Sequence, residues 1–275
     1  PLTQIKIEFP PVSPFSSYSP QLDIKVVVEQ DGRLYRDGIT ISISNANRSI
    51  QATPDGEGRF TAPVQLNRGL NDIVVTGRYG NNPLASKSIN VLYAPIPSRL
   101  PRGVSVPSER QQDAQNLLNS LNTQLIAGNY DGATDTLDKL NKITGSRAIF
   151  FLLRGKIRYH RMIAKPNEAM DYCNKAIFDF QQADVYREEF QEVSYIYQTV
   201  YYLVATYFMR LRLATNSELH LTNKNMYNKY IRETEEAINI YEEFTQKVDR
   251  NNLGLIPLEV ERIRQELDIY RRLEP

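Results

Sequence analysis

Twelve of the fifteen prolines lie at or before Pro107, and only Pro166, Pro257 and Pro275 follow. A proline inside a helix costs about 3 kcal/mol, so this partition sets a strand-and-turn region beside a helical one. The switch falls in the run APIPSRLPRGVSVPSE, Ala94 to Glu109. Each proline there disfavours helix at the residue before it and favours an extended, semi-rigid spacer. The expected division is a first domain over 1–95, a proline-rich linker over 96–107 and a helical domain over 108–275. With 275 residues, both domains are long enough to bury a core.

The first domain alternates apolar and polar residues in short runs. QIKIEF (Gln4 to Phe9), QLDIKVVVE (Gln21 to Glu29) and ITISIS (Ile39 to Ser44) have the period-two pattern of half-buried strands. RFTAPVQL (Arg59 to Leu66), NDIVVTGRY (Asn71 to Tyr79) and SKSINVLY (Ser86 to Tyr93) repeat it, separated by Gly, Asn and Asp turns. Such spacing predicts an antiparallel β-sandwich.

The helical region centres on YIYQTVYYLVATYFMRLRL, Tyr195 to Leu213, which has no Gly or Pro and is apolar on almost every side. Gln198, Thr199 and Thr206 interrupt the run and Arg210 and Arg212 close it, which argues against a membrane span. It is expected to be the central helix of a soluble helical domain. Ser108-Glu109-Arg110-Gln111 predicts a capping box, and Ala114, Leu117, Leu118, Leu121 and Leu125 follow at helical spacing. A last amphipathic helix is expected over Leu258 to Leu273, with Leu258, Ile263, Leu267 and Ile269 on its apolar face.

Charge narrows the function classes. The formal net charge is +1, and the first hundred residues carry ten Lys/Arg against eight Asp/Glu. No field of one sign recruits nucleic acid or an anionic membrane, so neither partner is expected. The single cysteine, Cys173, excludes an internal disulfide and reads as a small buried apolar residue. His160 and His220, sixty residues apart, have no metal-ligand spacing around them, and no metal or other cofactor is expected. No nucleophile elbow, phosphate-cradling loop or dinucleotide fingerprint occurs, so no catalytic residues are assigned and the chain is expected not to be an enzyme. The acidic run Glu233 to Glu243 reads as a solvated helix face rather than a catalytic pair. Tryptophan is absent, which lowers a carbohydrate-binding role.

Two resemblances extend this reading. DGEGRFTAPVQLNRGLNDIVVTGRYGNNPLASKSINVLY resembles the second half of bacterial immunoglobulin-like domains, through Gly58, Phe60, Val64, Leu66, Gly69, Asn71, Ile73, Val75, Gly80, Asn81, Ile89 and Val91. GRYGNN stands where that family usually has an acidic loop, so calcium is not expected. AGNYDGATDTLDKL, with Gly128, Tyr130, Ala133, Leu137 and Leu140, resembles the turn and second helix of a tetratricopeptide repeat. A second unit has Gly155 at the helix-crossing position and Ala169 and Ala176 in its partner helix. A third has Tyr201, Val204, Ala205 and Phe208, with Ala237 and Tyr241 after a long insertion from Thr215 to Tyr227.

The fold these resemblances imply is an N-terminal immunoglobulin-like β-sandwich followed by a tetratricopeptide-like helical domain of three pairs with a capping helix. They also imply a protein-binding concave groove, which the motif places at Asn122, Lys156, Tyr159, His160, Tyr202, Thr206 and Arg210, with Leu118, Leu125, Leu152 and Thr199 beside them. In the opposing reading three units close on themselves, and Tyr159 and Tyr202 are core. The basic residues Arg154, Lys156, Arg158 and Arg161 could likewise hold an acidic segment or pair with neighbours such as Glu168. The implied function is a non-enzymatic scaffold or adaptor of a bacterial cell envelope that docks other proteins through its helices. The alternative is a ligand- or glycan-binding accessory lipoprotein with an inter-domain or intra-stack pocket. Export to the periplasm or surface is implied by the immunoglobulin-like pattern. The chain starts at Pro1 without Met, so a removed leader and a lipid anchor before Pro1 are expected, the anchor being the one membrane attachment.

Overall fold

The computed structural model describes residues 3–9, 15–30, 33–35, 37–46, 48–67, 69–93, 96, 99–248 and 260–273. It divides into two compact units, Pro1–Pro95 and Ile96–Pro275.

The first unit is all β. Its strands are β1 (Thr3–Phe9), β2 (Phe15–Ser17), β3 (Gln21–Gln30), β4 (Arg33–Leu34), β5 (Ile39–Asn45), β6 (Arg48–Gln51), β7 (Thr53–Pro54), β8 (Arg59–Gln65), β9 (Gly69–Tyr79) and β10 (Asn82–Tyr93). One sheet runs β1-β3-β8-β7 with β4 on β3, and the other runs β2-β10-β9-β5-β6. All pairings are antiparallel except the short parallel pairing of β2 with β10. The alternation read from sequence is realised here. Ile24, Val26 and Val28 of β3, Phe60, Ala62 and Val64 of β8, Ile41 and Ile43 of β5, and Ile73 and Val75 of β9 fill one core between the sheets.

A buried amide clip fixes the β8–β9 turn. Asn71 Oδ1 accepts the backbone N–H of Asn67 at 2.8 Å, and its Nδ2 donates to the Asn67 carbonyl at 2.7 Å. Both backbone groups are thereby satisfied where no strand partner reaches them.

The second unit is helical: α1 (Gln111–Ile126), α2 (Tyr130–Thr144), α3 (Arg147–Ala164), α4 (Ala169–Val185), α5 (Val193–Asn216), α6 (Leu219–Thr222), α7 (Lys224–Lys247) and α8 (Val260–Arg272). α1 packs on α2, α3 on α4 and α5 on α7, and each pair packs on the next. Gly145, at φ +61° beyond α2, is the left-handed stop that its position after a periodic helix predicts. Gly155 lets α3 and α4 approach closely: a Cβ there would lie 2.6 Å from the Phe180 ring. Among the described residues no helix is long and apolar enough to cross a membrane.

Several expectations are corrected. Ser108 opens a short 3₁₀ turn, Ser108–Arg110, and makes no capping bond; α1 starts only at Gln111. The insertion from Thr215 to Tyr227, between the two helices of the third pair, is itself largely helical: α5 runs on to Asn216, α6 follows, and Asn223 accepts the Met226 N–H at 3.1 Å to start α7 at Lys224. On α8, Ile263 and Leu267 are buried but Ile269 is exposed, since it sits ~200° round the helix from Leu267. Leu258 lies outside the described residues. The division between the units falls at the expected end of the first domain, with residues 96–107 counted in the second unit. There Arg102 N–H donates to Glu192 Oε1 at 2.8 Å, and Gly103 takes φ +93°, a left-handed conformation that a side chain would strain.

Candidate protein-binding site

The structure brings most of the motif-derived positions together in the interior of the helical unit. Lys156 and Tyr202 are 0% exposed, and Tyr159, His160, Thr206 and Arg210 are also buried; only Asn122 is half-buried. Leu118, Leu125, Leu152 and Thr199 are buried as well. These positions therefore form core and not the wall of an open groove, and the closed-stack alternative describes Tyr159 and Tyr202. The physical reason is aromatic volume. Tyr202 stacks on Phe180 at 5.5 Å between centroids and meets Tyr159 and Tyr201 edge-on, each at 5.6 Å.

Several polar groups in this interior bond locally. Lys156 Nζ donates to Gln198 Oε1 at 2.6 Å and sits 5.0 Å from the Tyr202 ring centroid. Thr206 and Thr199 hydroxyls donate to the carbonyls one turn back, at Tyr202 and Tyr195, at 2.6 and 3.0 Å. The Tyr197 and Tyr241 hydroxyls lie 3.0 Å apart and join α5 to α7. Burial, with Lys156 nearby, lowers His160 to about 3, so its imidazole is neutral. Burial raises Tyr159 and Tyr201 above the usual phenol range. Arg210 is held between the Tyr207 and Tyr230 rings, 4.8 and 4.1 Å from their centroids, and pairs with Glu233.

The arginines of the basic run on α3 are paired with carboxylates on the two neighbouring helices, α4 and α2. Arg154 donates to Asp179 Oδ1 at 2.8 Å, Arg158 donates to Oδ2 at 2.7 Å, and Arg161 donates to Asp131 at 2.5 Å. The partners are Asp179 and Asp131 rather than Glu168, which pairs with Lys165 at 3.6 Å. The acidic run on α7 is paired in the same way, Glu233 with Arg210, Glu235 with Arg271 and Glu242 with Arg264. Among the described residues no three His, Cys, Asp or Glu side chains group as metal ligands. Cys173 is buried, and its thiol donates to the Thr206 carbonyl at 3.3 Å.

Open concave surface lies elsewhere. A cleft of about 550 Å³ between α1 and α2 is lined by Arg110, Asp113, Leu117, Lys139, Lys142 and Ile143, with Asn116 and Ser120 on its rim. A second, of about 600 Å³, opens at the β5–β6 edge of the sandwich beside β8. Exposed apolar side chains also occur on the helical unit, Phe178 and Val185 seven apart on one face of α4. The repeat motif pointed to the helix face that the stack buries, and the cleft borders the next strip of α1. No family model matches the chain, and no curated protein matches it.

Proposed function

We propose that the chain is a non-enzymatic scaffold or adaptor of a bacterial cell envelope, docking protein partners through its helical unit while the sandwich positions it. One observation carries this reading: six long helices pack as three hairpins in chain order, each pair resting on the next. Stacked hairpins are the repeat geometry whose surfaces serve recognition, in keeping with the tetratricopeptide-like motifs. The strand order supports an immunoglobulin-like identity for the first unit. β1-β3-β8-β7 against β10-β9-β5 reproduces the arrangement of strands A-B-E-D against G-F-C. The export reading rests on that likeness. The test is photo-crosslinking in cells, with a benzophenone amino acid at Phe178 or Val185 on α4, or at Lys87 on β10. Defined adducts of the helical positions, absent from Lys87, are expected; adducts from Lys87 alone, or none from any position, overturn the reading.

A further inference from the structure

We infer that the α1–α2 cleft is the docking site for an acidic peptide segment with an apolar side chain between its carboxylates. The inference rests on the protein-docking reading and gives it a place and a partner chemistry. Three cations converge on the cleft, Arg110 at the start of α1 and Lys139 and Lys142 near the end of α2. Among the described residues none of the three has a carboxylate within 4.0 Å. That sets them apart from Arg154, Arg158 and Arg161, each of which is paired with Asp179 or Asp131. Asp113 is the one carboxylate in the lining, so the cleft keeps an excess of positive charge.

Its floor and rim fit a peptide. Leu117 and Ile143 supply an apolar base for one side chain. Asn116 and Ser120 stand on the rim with both donors and acceptors for a main chain. Asp113 is the only charged residue in α1, and amide pairs cover its outer face: Gln112 donates to Asn116 at 3.0 Å and Gln115 to Asn119 at 3.1 Å. From Arg110 to Ser120 the cleft follows α1 for about 15 Å, the length of four or five extended residues. No aromatic ring lines it, so an oligonucleotide would find charge without stacking.

The test pans a displayed library of random twelve-residue peptides on the intact chain and on a Lys139→Gln/Lys142→Gln variant. Both positions are exposed, and unchanged helical circular dichroism verifies the fold. Expected are clones rich in Asp and Glu around Leu or Ile, bound at least about tenfold more weakly by the variant in fluorescence anisotropy and weakened by added salt. Clones without acidic bias, or clones the variant retains fully, overturn the cleft assignment and leave helical docking standing. No enriched clone, or displacement of the peptide by a single-stranded RNA dodecamer at equal concentration, overturns the assignment too. Docking at another face then rests on the α4 crosslinks alone.

Discussion

Lys156 Nζ donates to Gln198 Oε1 at 2.6 Å with the lysine wholly buried, a charge-assisted bond that ties the second helical hairpin to the third. A buried ammonium is tolerated only while it is bonded, and removing its partner costs more than removing the charge itself. Gln198→Leu is therefore expected to destabilise the helical unit by about 2–3 kcal/mol. Lys156→Met, which keeps the length and discards the charge, is expected to cost less. The double variant should be milder than Gln198→Leu alone. Urea titration followed at 222 nm ranks the three; a Lys156→Met variant weaker than Gln198→Leu would refute the order.

Gly155 faces the Phe180 ring at a distance no side chain can share. Gly155→Ala places a methyl 2.6 Å from Phe180 Cε1, and Phe180 is itself buried and stacked on Tyr202. The strain is expected to cost about 1–3 kcal/mol despite alanine's better helix propensity. Phe180→Leu in the same chain should restore part of it, so that the two changes are non-additive by thermal melting. Equal or higher stability of Gly155→Ala alone would show that the helices can part at no cost.

The long strands were legible because period-two alternation marks half-buried sheet, and the helix hairpins because small residues and left-handed glycines mark crossings and stops. The short strands β2, β4, β6 and β7 were not. They have two to four residues, and β4, β6 and β7 are exposed throughout, so no alternation exists to read. The site was harder. Periodicity tells which residues share a helix face, yet it does not tell what covers that face. Lys156 sits in the basic string RGKIR and reads as surface, while its neighbours Arg154 and Arg158 meet a carboxylate on another helix, at Asp179. Arg110, Lys139 and Lys142 are scattered in sequence and become one cluster only when the hairpin closes.

His160 gives the chain an acid limit. Burial and the charge of Lys156 hold its folded pKa at about 3, against about 6.5 when unfolded. The unfolded chain thus binds a proton that the folded chain refuses between these values. The contribution to stability is complete above pH 6.5 and drains away as pH falls toward 3, amounting to at most about 5 kcal/mol. Unfolding free energy should fall across this window, and His160→Gln should flatten the slope. In proton–carbon correlation spectra the His160 Hε1 resonance should stay fixed from pH 8 to pH 5. A midpoint near 6 would contradict its enclosure.

Cys173 reports on the same interior from the opposite side of the pH scale. Its thiol is enclosed in α4 and donates to the Thr206 carbonyl of α5, and burial pushes it up to about 12. The thiolate is the reactive form, so two barriers, access and ionisation, protect it together. The native chain at pH 8 should leave Ellman's reagent uncoloured over hours, whereas the urea-unfolded chain should release one equivalent of thionitrobenzoate within minutes. Because the single thiol sits at the α4–α5 contact, native-state labelling at low urea measures how often that contact opens. Gln198→Leu and Gly155→Ala should each raise the logarithm of the labelling rate in proportion to the stability they remove, about tenfold for each 1.4 kcal/mol. Prompt modification of the unperturbed protein at pH 8 would mean that α4 and α5 part readily, and the closed tyrosine core would have to be abandoned.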